Sequence, residues 1–417
     1  MSVGIRPRRQ RGLGSATDIG LGGHPSPLGR EPPPWPVAIR LTGLSMGHTA
    51  HSGRRLNIDA GDSLAVQHVP GRVGLPVLEV EELRHNKGNA ATYGIWRVRG
   101  AAGQAVLKIY RPGAPGYTGF WPTSTEPTHW NYWRRESLAY AEGLTSTVYA
   151  EAGVSGPEML ETNVRADGMV ELWLDYVPGI GGFEWSPSRI ARFAYELGTG
   201  QARWTGRVPD LPWLSRGWLR QYLADGPPLS VNIEDSDWGH PDVAFWPDPV
   251  RQRLRRLWAE RNQTLAVAQG VERTLCHLDV WPANLIDVGG RSVLLDWAFA
   301  GEGAVGEDIS NLILDSFTDG LMDPDLLPEI AEGCVDGYLK GLRDGGWSGS
   351  EDAVRVAVGA CGAAKFSWFG PAVLGRAVSN DVGSSNYSQD ESAELVVKRV
   401  AGLVTLIADW ARVSGSR

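Results

Sequence analysis

One short block interrupts a long helical stretch and constrains everything around it. Residues 274–288 read Thr-Leu-Cys-His-Leu-Asp-Val-Trp-Pro-Ala-Asn-Leu-Ile-Asp-Val, followed by Gly289-Gly290 and then Arg-Ser-Val-Leu-Leu-Asp-Trp over 291–297. Two glycines between β-prone runs are a two-residue hairpin signal. Such a hairpin brings Asn284 and Asp296 together at its open end. His277 and Asp279 lie just ahead of it. This block is the one break in the helical pattern that runs on either side of it.

Before this block the pattern is first strand-like, then helical. Residues 37–41 and 63–69 are short β candidates. Residues 78–83, 94–98 and 105–110 follow with tight turns between them and predict an antiparallel meander. The loop 85–94 contains Lys87-Gly-Asn-Ala-Ala-Thr-Tyr93, small and glycine-bearing. Residues 131–142 predict a helix closed by Gly143, and 169–177 a strand running into Pro178-Gly179. Ser186-Pro187 and Asp248-Pro249 each open a helix, since proline at the first helical position needs no N–H donor. The second is predicted to run unbroken to about residue 269. After 305, helices are predicted at roughly 305–317, 324–343, 351–369 and 390–413, with a Gly/Ser/Asn-rich loop at 379–389.

Charge and cysteine content narrow the function. The 40 Lys+Arg and 48 Asp+Glu give a net charge of −8, which offers nucleic acid no general attraction. No apolar run approaches the roughly 18 residues of a membrane span. Three cysteines without C-x-x-C spacing argue against a disulfide scaffold, and the arginine-bearing N-terminus lacks an apolar segment behind it. The expectation is a cytoplasmic protein with neither nucleic-acid nor membrane partners. Residues 1–36, rich in Gly, Pro and Arg, predict a disordered tail.

The polar cluster has a chemical logic. Phosphoryl transfer needs a carboxylate to orient or deprotonate a hydroxyl, and hard oxygen donors for magnesium on the nucleotide phosphates. Asp279 suits the first task, Asn284 and Asp296 the second. His277-Leu-Asp279 with Asn284, then Asp296-Trp297, resembles the H-x-D-x-x-x-x-N and D-W motifs of the aminoglycoside phosphotransferase/choline kinase family, relatives of protein kinases. In motif order the resemblance runs over roughly residues 75–415.

It implies an α+β, bilobed protein-kinase-like fold with a small antiparallel β-rich N-lobe and a large, mainly helical C-lobe. The corresponding domains are a 1–36 tail, a 37–74 extension with short strands, an N-lobe over 75–177 and a C-lobe over 178–417. It also implies ATP and Mg2+ as cofactors. Lys108 would hold the nucleotide phosphates, paired with Glu136, and Asn89 would lie in the phosphate loop. The stretch from Trp173 to Val177, with Asp175 and Tyr176, would form the hinge whose backbone groups meet adenine. Asp279 would be the base, Asn284 and Asp296 the metal ligands, with His277 and Asp308 supporting the catalytic loop. The Lys108–Glu136 pair is expected to be half-exposed, worth about 0–1 kcal/mol in stability.

Taken singly, each residue has an ordinary explanation: a strand lysine at an edge, a helix glutamate in solvent, aspartates in turns. Their joint order favours a phosphotransferase acting on a hydroxyl. The acceptor is a small molecule such as an amino sugar, or a short peptide docked on the N-terminal extension and the 111–128 insertion. Residues 301–417 hold 18 acidic and 9 basic side chains, a surface that would draw a cationic acceptor. A silent nucleotide-binding module and a metal-dependent phosphoesterase built on His277 and Asp279 are the remaining readings.

Overall fold

The computed structural model describes residues 56–60, 62–66, 68–113, 121–225, 233–379 and 392–414. The predicted tail, the 37–41 strand and nearly all of the 379–389 loop lie outside these residues. A hairpin of β1 (Leu56–Ala60) and β2 (Asp62–Val66) comes first. Next are β3 (Val77–Glu82), β4 (Thr92–Gly100) and β5 (Gln104–Tyr110), the predicted meander. Helix α1 (Arg135–Ala141) and the short α2 (Leu144–Thr147) lead into β6 (Val154–Ser155), β7 (Met159–Val164) and β8 (Val170–Asp175). The antiparallel sheet β3-β4-β5-β8-β7 is the small lobe.

The sheet has two different faces, as strand alternation requires. Ala105, Leu107 and Ile109 of β5 pack with Trp96, Val98 and Trp173 into a separate outer core. Lys108 and Tyr110 point the other way, on the side where Leu172 and Val170 join the main core. That alternation puts one lysine into the interior between the sheet and the helices.

After β9 (Ile180–Gly181) the chain becomes mainly helical: α3 (Pro187–Ala202), the two-residue β10 (Ser215–Arg216), α4 (Trp218–Asp225), α5 (Asp248–Ala259) and α6 (Arg261–Gln269). Then β11 (Arg273–Cys276), β12 (Leu285–Val288), β13 (Arg291–Leu294) and β14 (Gly301–Ala304) form the predicted interruption. The chain ends in α7 (Glu307–Thr318), α8 (Leu327–Asp344), α9 (Glu351–Lys365), α10 (Phe369–Ser379), α11 (Ala393–Arg399) and α12 (Ala401–Ser414). The molecule is a bilobed α+β fold, with a small antiparallel sheet lobe and a large, mainly helical one. Among the described residues no helix is long and apolar enough to cross a membrane.

Several predicted bounds differ for visible reasons. The helix predicted from 131 starts at Arg135, because Ser124 bonds the backbone of Asn131 and Trp133 and holds that stretch in a bridge. The helix predicted over 248–269 breaks at Glu260, whose φ of −104° and ψ of 16° leave the helical basin. Strand β14 was missed because Gly-Glu-Gly-Ala has no β-prone side chains; it forms by pairing with β11 and β10.

The hairpin itself is as the sequence predicts. Val288 pairs with Arg291 across Gly289 and Gly290, both at positive φ, 60° and 87°. Two left-handed residues in succession match the twist of the flanking strands, and glycine adopts them without steric cost. Helix α7 needs a similar concession. Gly306 precedes it at φ 100°, where a Cβ would meet Val358 Cγ2 at 2.7 Å. Gly306→Ala is therefore expected to cost about 1–3 kcal/mol through backbone strain and overpacking. Urea denaturation would measure it, and an unchanged midpoint would mean that this turn relaxes freely.

Candidate active site

Lys108 is the centre of the site. Its Nζ lies 2.5 Å from Glu136 Oε2 and 2.8 Å from Asp296 Oδ1. Lys108 and Glu136 are only 5% and 2% exposed, so the half-exposed pair expected from the sequence is in fact buried. Breaking such a pair leaves an unpaired charge inside and costs about 3–5 kcal/mol, not 0–1. Tyr110, two residues along the same strand face, donates to Glu136 Oε2 at 2.5 Å. Burial disfavours the Lys108 ammonium, but the charges of Asp296 and Glu136 outweigh it and hold it protonated well above its ordinary value. Burial likewise pushes Glu136 up, opposed by Lys108. For Asp296 burial is overcome by Lys108, and the carboxylate is held below its usual range.

The segments around Leu278 and Asp296 are held in a conformation that few residues adopt. Leu278 and Asp296 are the non-glycine residues at positive φ among those described, 68° and 56°. Each costs on the order of 1–3 kcal/mol unless its surroundings enforce it. Asp308 enforces the first: Oδ2 accepts from His277 N–H at 2.9 Å and Oδ1 from Leu278 N–H at 2.7 Å. Asn311, one turn on in α7, donates to Leu278 C=O at 3.3 Å.

Behind Asp308 stands a chain of donors. Gln201 Nε2 donates to Asp308 Oδ2 at 2.7 Å, and Tyr338 O–H donates to Gln201 Oε1 at 2.6 Å. Helices α3, α7 and α8 therefore converge on two backbone N–H groups. Burial pushes Asp308 up to about 6, although all of these bonds oppose it.

His277 is fully buried, with Nε2 2.9 Å from Leu295 C=O and Nδ1 3.2 Å from Asp279 N–H. These partners select the neutral tautomer with the proton on Nε2. Its ring meets Trp297 edge to face at 4.9 Å. Asn284 Nδ2 donates to Asp279 C=O at 2.9 Å and to Asp279 Oδ2 at 3.0 Å. Its backbone C=O accepts from Leu295 N–H at 2.8 Å, so the hairpin mouth brings Asn284 beside the Leu295-Asp296 step. Burial raises Asp279 above the usual carboxylate range, and the charge of Asp296 adds to it. Asp279, Asn284, Asp296 and Lys108 thus share one electrostatic environment.

The oxygen-donor set suits a hard cation held partly by phosphates. Asp296 keeps 35% of its side chain exposed, and among the described residues no cluster of three or more His, Cys, Asp or Glu could hold a metal alone. The three cysteines are buried and unpaired.

Other expected contacts are corrected by the geometry. Trp173 lies on the sheet face opposite Lys108, its indole in the outer core and its backbone paired with both β5 and β7. It faces no cleft. Asp175 shares that parity, and its N–H is bonded to Glu158 C=O at 2.8 Å. The Tyr176 ring is covered by the Arg97 guanidinium at 4.4 Å. The stretch expected to serve as the hinge leaves the sheet after Asp175. Asn89 spends its Oδ1 on Ala91 N–H and Asn131 Nδ2, both at 3.0 Å, shaping the loop from inside.

Sequence reasoning missed Arg135, Tyr110, Gln201 and Asn311. Tyr110 and Asn311 had a local signal, spaced by two on a strand and by three on a helix from residues already identified. Gln201 had none, because its side-chain partners are 107 and 137 residues away.

Residues 84–348 match the family model described as the phosphotransferase enzyme family. No protein of curated function matches the sequence. Among solved structures the chain is similar to an amicoumacin kinase in complex with AMP-PNP and Ca2+, at 12% identity and TM-score 0.46, over 79% of this chain and 88% of that one. It is also similar to a choline kinase from Streptococcus pneumoniae, at 15% identity and TM-score 0.43, over 82% and 95%. A third similarity is to a thermostable mutant of an aminoglycoside phosphotransferase in complex with ADP and hygromycin B, at 13% identity and TM-score 0.41, again over 82% and 95%.

His277 gives a pH test of this geometry. Burial lowers it from an ordinary 6.5 to about 4. Between those values the unfolded chain binds more protons than the folded one, so stability rises with pH across the window and is lost as pH falls. At about 1.4 kcal/mol per pKa unit, the stability gap between wild type and His277→Gln should shift by about 2–3 kcal/mol in favour of wild type from pH 4.5 to 7. Chemical denaturation at both values checks it; a gap that ignores pH would show a normally titrating ring.

Proposed function

The chain belongs to the phosphotransferase enzyme family, and on that premise we propose that it transfers the γ-phosphate of ATP to a hydroxyl of a small molecule. The observation that supports this most is Lys108, buried between Glu136 and Asp296. A lysine so placed presents a fixed positive charge to phosphate oxygens without collapsing onto one partner. When bound, the nucleotide and its Mg2+ ions supply the phosphoryl group and neutralise its charge.

The chain's own residues do the rest. Lys108 meets the phosphates, and Asp296 and Asn284 offer oxygen ligands to the metal. Asn284 also holds the Asp279 carboxylate in place. Asp279 orients the acceptor hydroxyl and takes its proton as the new O–P bond forms and the bond to the leaving diphosphate breaks. An elevated proton affinity suits that task, because a base works best near the ambient pH.

The acceptor side favours an amino-bearing alcohol, such as an amino sugar. Asp315 lies on α7 seven residues beyond Asp308, hence on the same face, and pairs with the buried Lys365 at 2.8 Å. The charges of Asp315 and Lys365 both act on Asp279. Two carboxylates against one ammonium leave a net negative field for a cation. Beside the catalytic loop, Phe183 and Trp281 meet edge to face at 5.9 Å and offer an aromatic wall.

Nucleotide consumption against a panel of aminoglycosides, amino alcohols, neutral sugars and short peptides tests the reading. Turnover is expected with amino-bearing alcohols; turnover confined to peptides would redirect it. With a responsive acceptor, Asp279→Asn is expected to cut kcat by on the order of a hundredfold or more while the fold survives. Wild-type turnover would remove Asp279 from the mechanism. Asp296→Asn keeps a residue tolerant of positive φ but weakens the metal ligand. It is expected to raise the magnesium concentration needed for half-maximal rate at least tenfold, and an unchanged requirement would place the metal elsewhere.

A further inference from the structure

The geometry points to Arg135 as a positioning residue that locks helix α1, the turn after Asp296 and the loop 85–94 into one assembled unit. The inference rests on the phosphotransfer reading above, but its physical basis is independent of any acceptor. Arg135 is fully buried, and it immediately precedes Glu136 in α1. Its guanidinium donates to five backbone carbonyls. Nε reaches Trp213 at 2.8 Å, Nη1 reaches Trp130 at 2.8 Å and Ala298 at 3.0 Å, and Nη2 reaches Pro127 at 3.0 Å and His129 at 2.5 Å. Arginine carries five N–H donors, so the set is complete. None of these partners is a carboxylate. The charge is met by dipoles that belong to three different parts of the chain.

Those parts are the ones the site depends on. Ala298 sits two residues after Asp296. Residues 127–130 end a strap that begins at Trp121 and is stitched to the glycine-bearing loop. Ala90 N–H donates to Trp121 C=O at 3.0 Å, Trp121 N–H to Gly88 C=O at 3.1 Å, and Asn131 Nδ2 to Asn89 Oδ1 at 3.0 Å. The same strap is tied to the helical lobe: Trp130 N–H reaches Gln221 Oε1 at 2.6 Å and its Nε1–H reaches Asp225 Oδ2 at 2.7 Å. Lys108 binds one carboxylate next to Arg135 in sequence and another two residues from an Arg135 acceptor. Fixing Arg135 therefore fixes both ends of the Lys108 bridge.

Lysine cannot substitute. Its three donors on a flexible stem cannot reach five carbonyls arranged around a planar fork. The site is thereby held assembled without ligand, and the strap couples the loop 85–94 to the helical lobe so that the two do not swing independently.

The test compares wild type with Arg135→Lys. In the ligand-free full chain, amide hydrogen exchange is expected to accelerate together in 121–131, in α1 and in 297–301. In turnover, kcat is expected to fall at least tenfold and the magnesium concentration for half-maximal rate to rise several-fold, with the acceptor KM within a factor of two or three. A melting temperature that falls while kcat, magnesium requirement and the exchange of 297–301 stay at wild-type values would make Arg135 merely structural and overturn the proposal.

Should Arg135→Lys not fold, Asp225→Asn weakens the strap's outer anchor at a half-exposed residue. It is expected to speed exchange in 121–131 and 297–301 together; acceleration limited to 121–131 would refute the coupling. A wild-type chain that consumes nucleotide with no acceptor would defeat the phosphotransfer reading alone, because the exchange pattern still decides the role of Arg135.

Discussion

A single ammonium shared by two carboxylates organises this molecule. Burying Lys108 alone would be prohibitively costly, and burying Glu136 or Asp296 alone equally so. Together they are tolerable only if three elements distant in sequence meet within hydrogen-bond reach: β5, α1 and the segment after β13. Tyr110 adds a donor that leaves Glu136 no reason to turn elsewhere. The arrangement contributes little net stability compared with an apolar core of the same volume, but it strongly penalises any packing that separates its members. It specifies the site's geometry more than it stabilises the fold.

The same logic governs the strained residues. Leu278 and Asp296 hold positive φ on either side of the hairpin: Leu278 seats its side chain in the core directly before Asp279, and Asp296 brings its carboxylate to Lys108. Asp308 offsets the first with two charge-assisted bonds to backbone N–H groups, and Gln201 and Tyr338 fix Asp308 in turn. The core of the helical lobe thus ends at a carboxylate whose task is to hold the loop backbone. Arg135 plays the opposite part on the other side of the site, a buried cation whose hydrogen bonds all go to carbonyls. One side gathers N–H groups around an anion, the other C=O groups around a cation.

How much of this was legible follows from the range of each interaction. The hairpin was readable because Gly289-Gly290 dictates its own turn, and with it the approach of Asn284 to Asp296. Lys108, with its partner Glu136, could be placed from motif order. Burial could not be read from a lysine, so the pair was expected near the surface. Trp173 and Asp175 could be placed on the stretch between the lobes from motif order, but not which way their side chains point; strand parity turns both away from Lys108. Arg135 was invisible for a different reason: all five of its acceptors are main-chain carbonyls, which have no sequence signature.

That difference separates the two halves of the cleft. Phosphates impose a fixed pattern of charge, so in the proposed reading the nucleotide side uses lysine, aspartate and asparagine at positions that a linear motif can carry. The acceptor imposes nothing so general. In the proposed reading its side draws on Asp315 and Lys365, 50 residues apart, and on the Phe183–Trp281 ring pair, none of which forms a linear motif. Lys365 Nζ lies 5.4 Å from the Trp218 ring and 5.1 Å from that of Phe366, so the Asp315 pair is seated on an aromatic floor. A buried lysine that neutralises one of two neighbouring carboxylates sets how much negative field is left for the acceptor. In the proposed reading, acceptor preference would then follow from charge balance across α7 and α9, which also acts on Asp279.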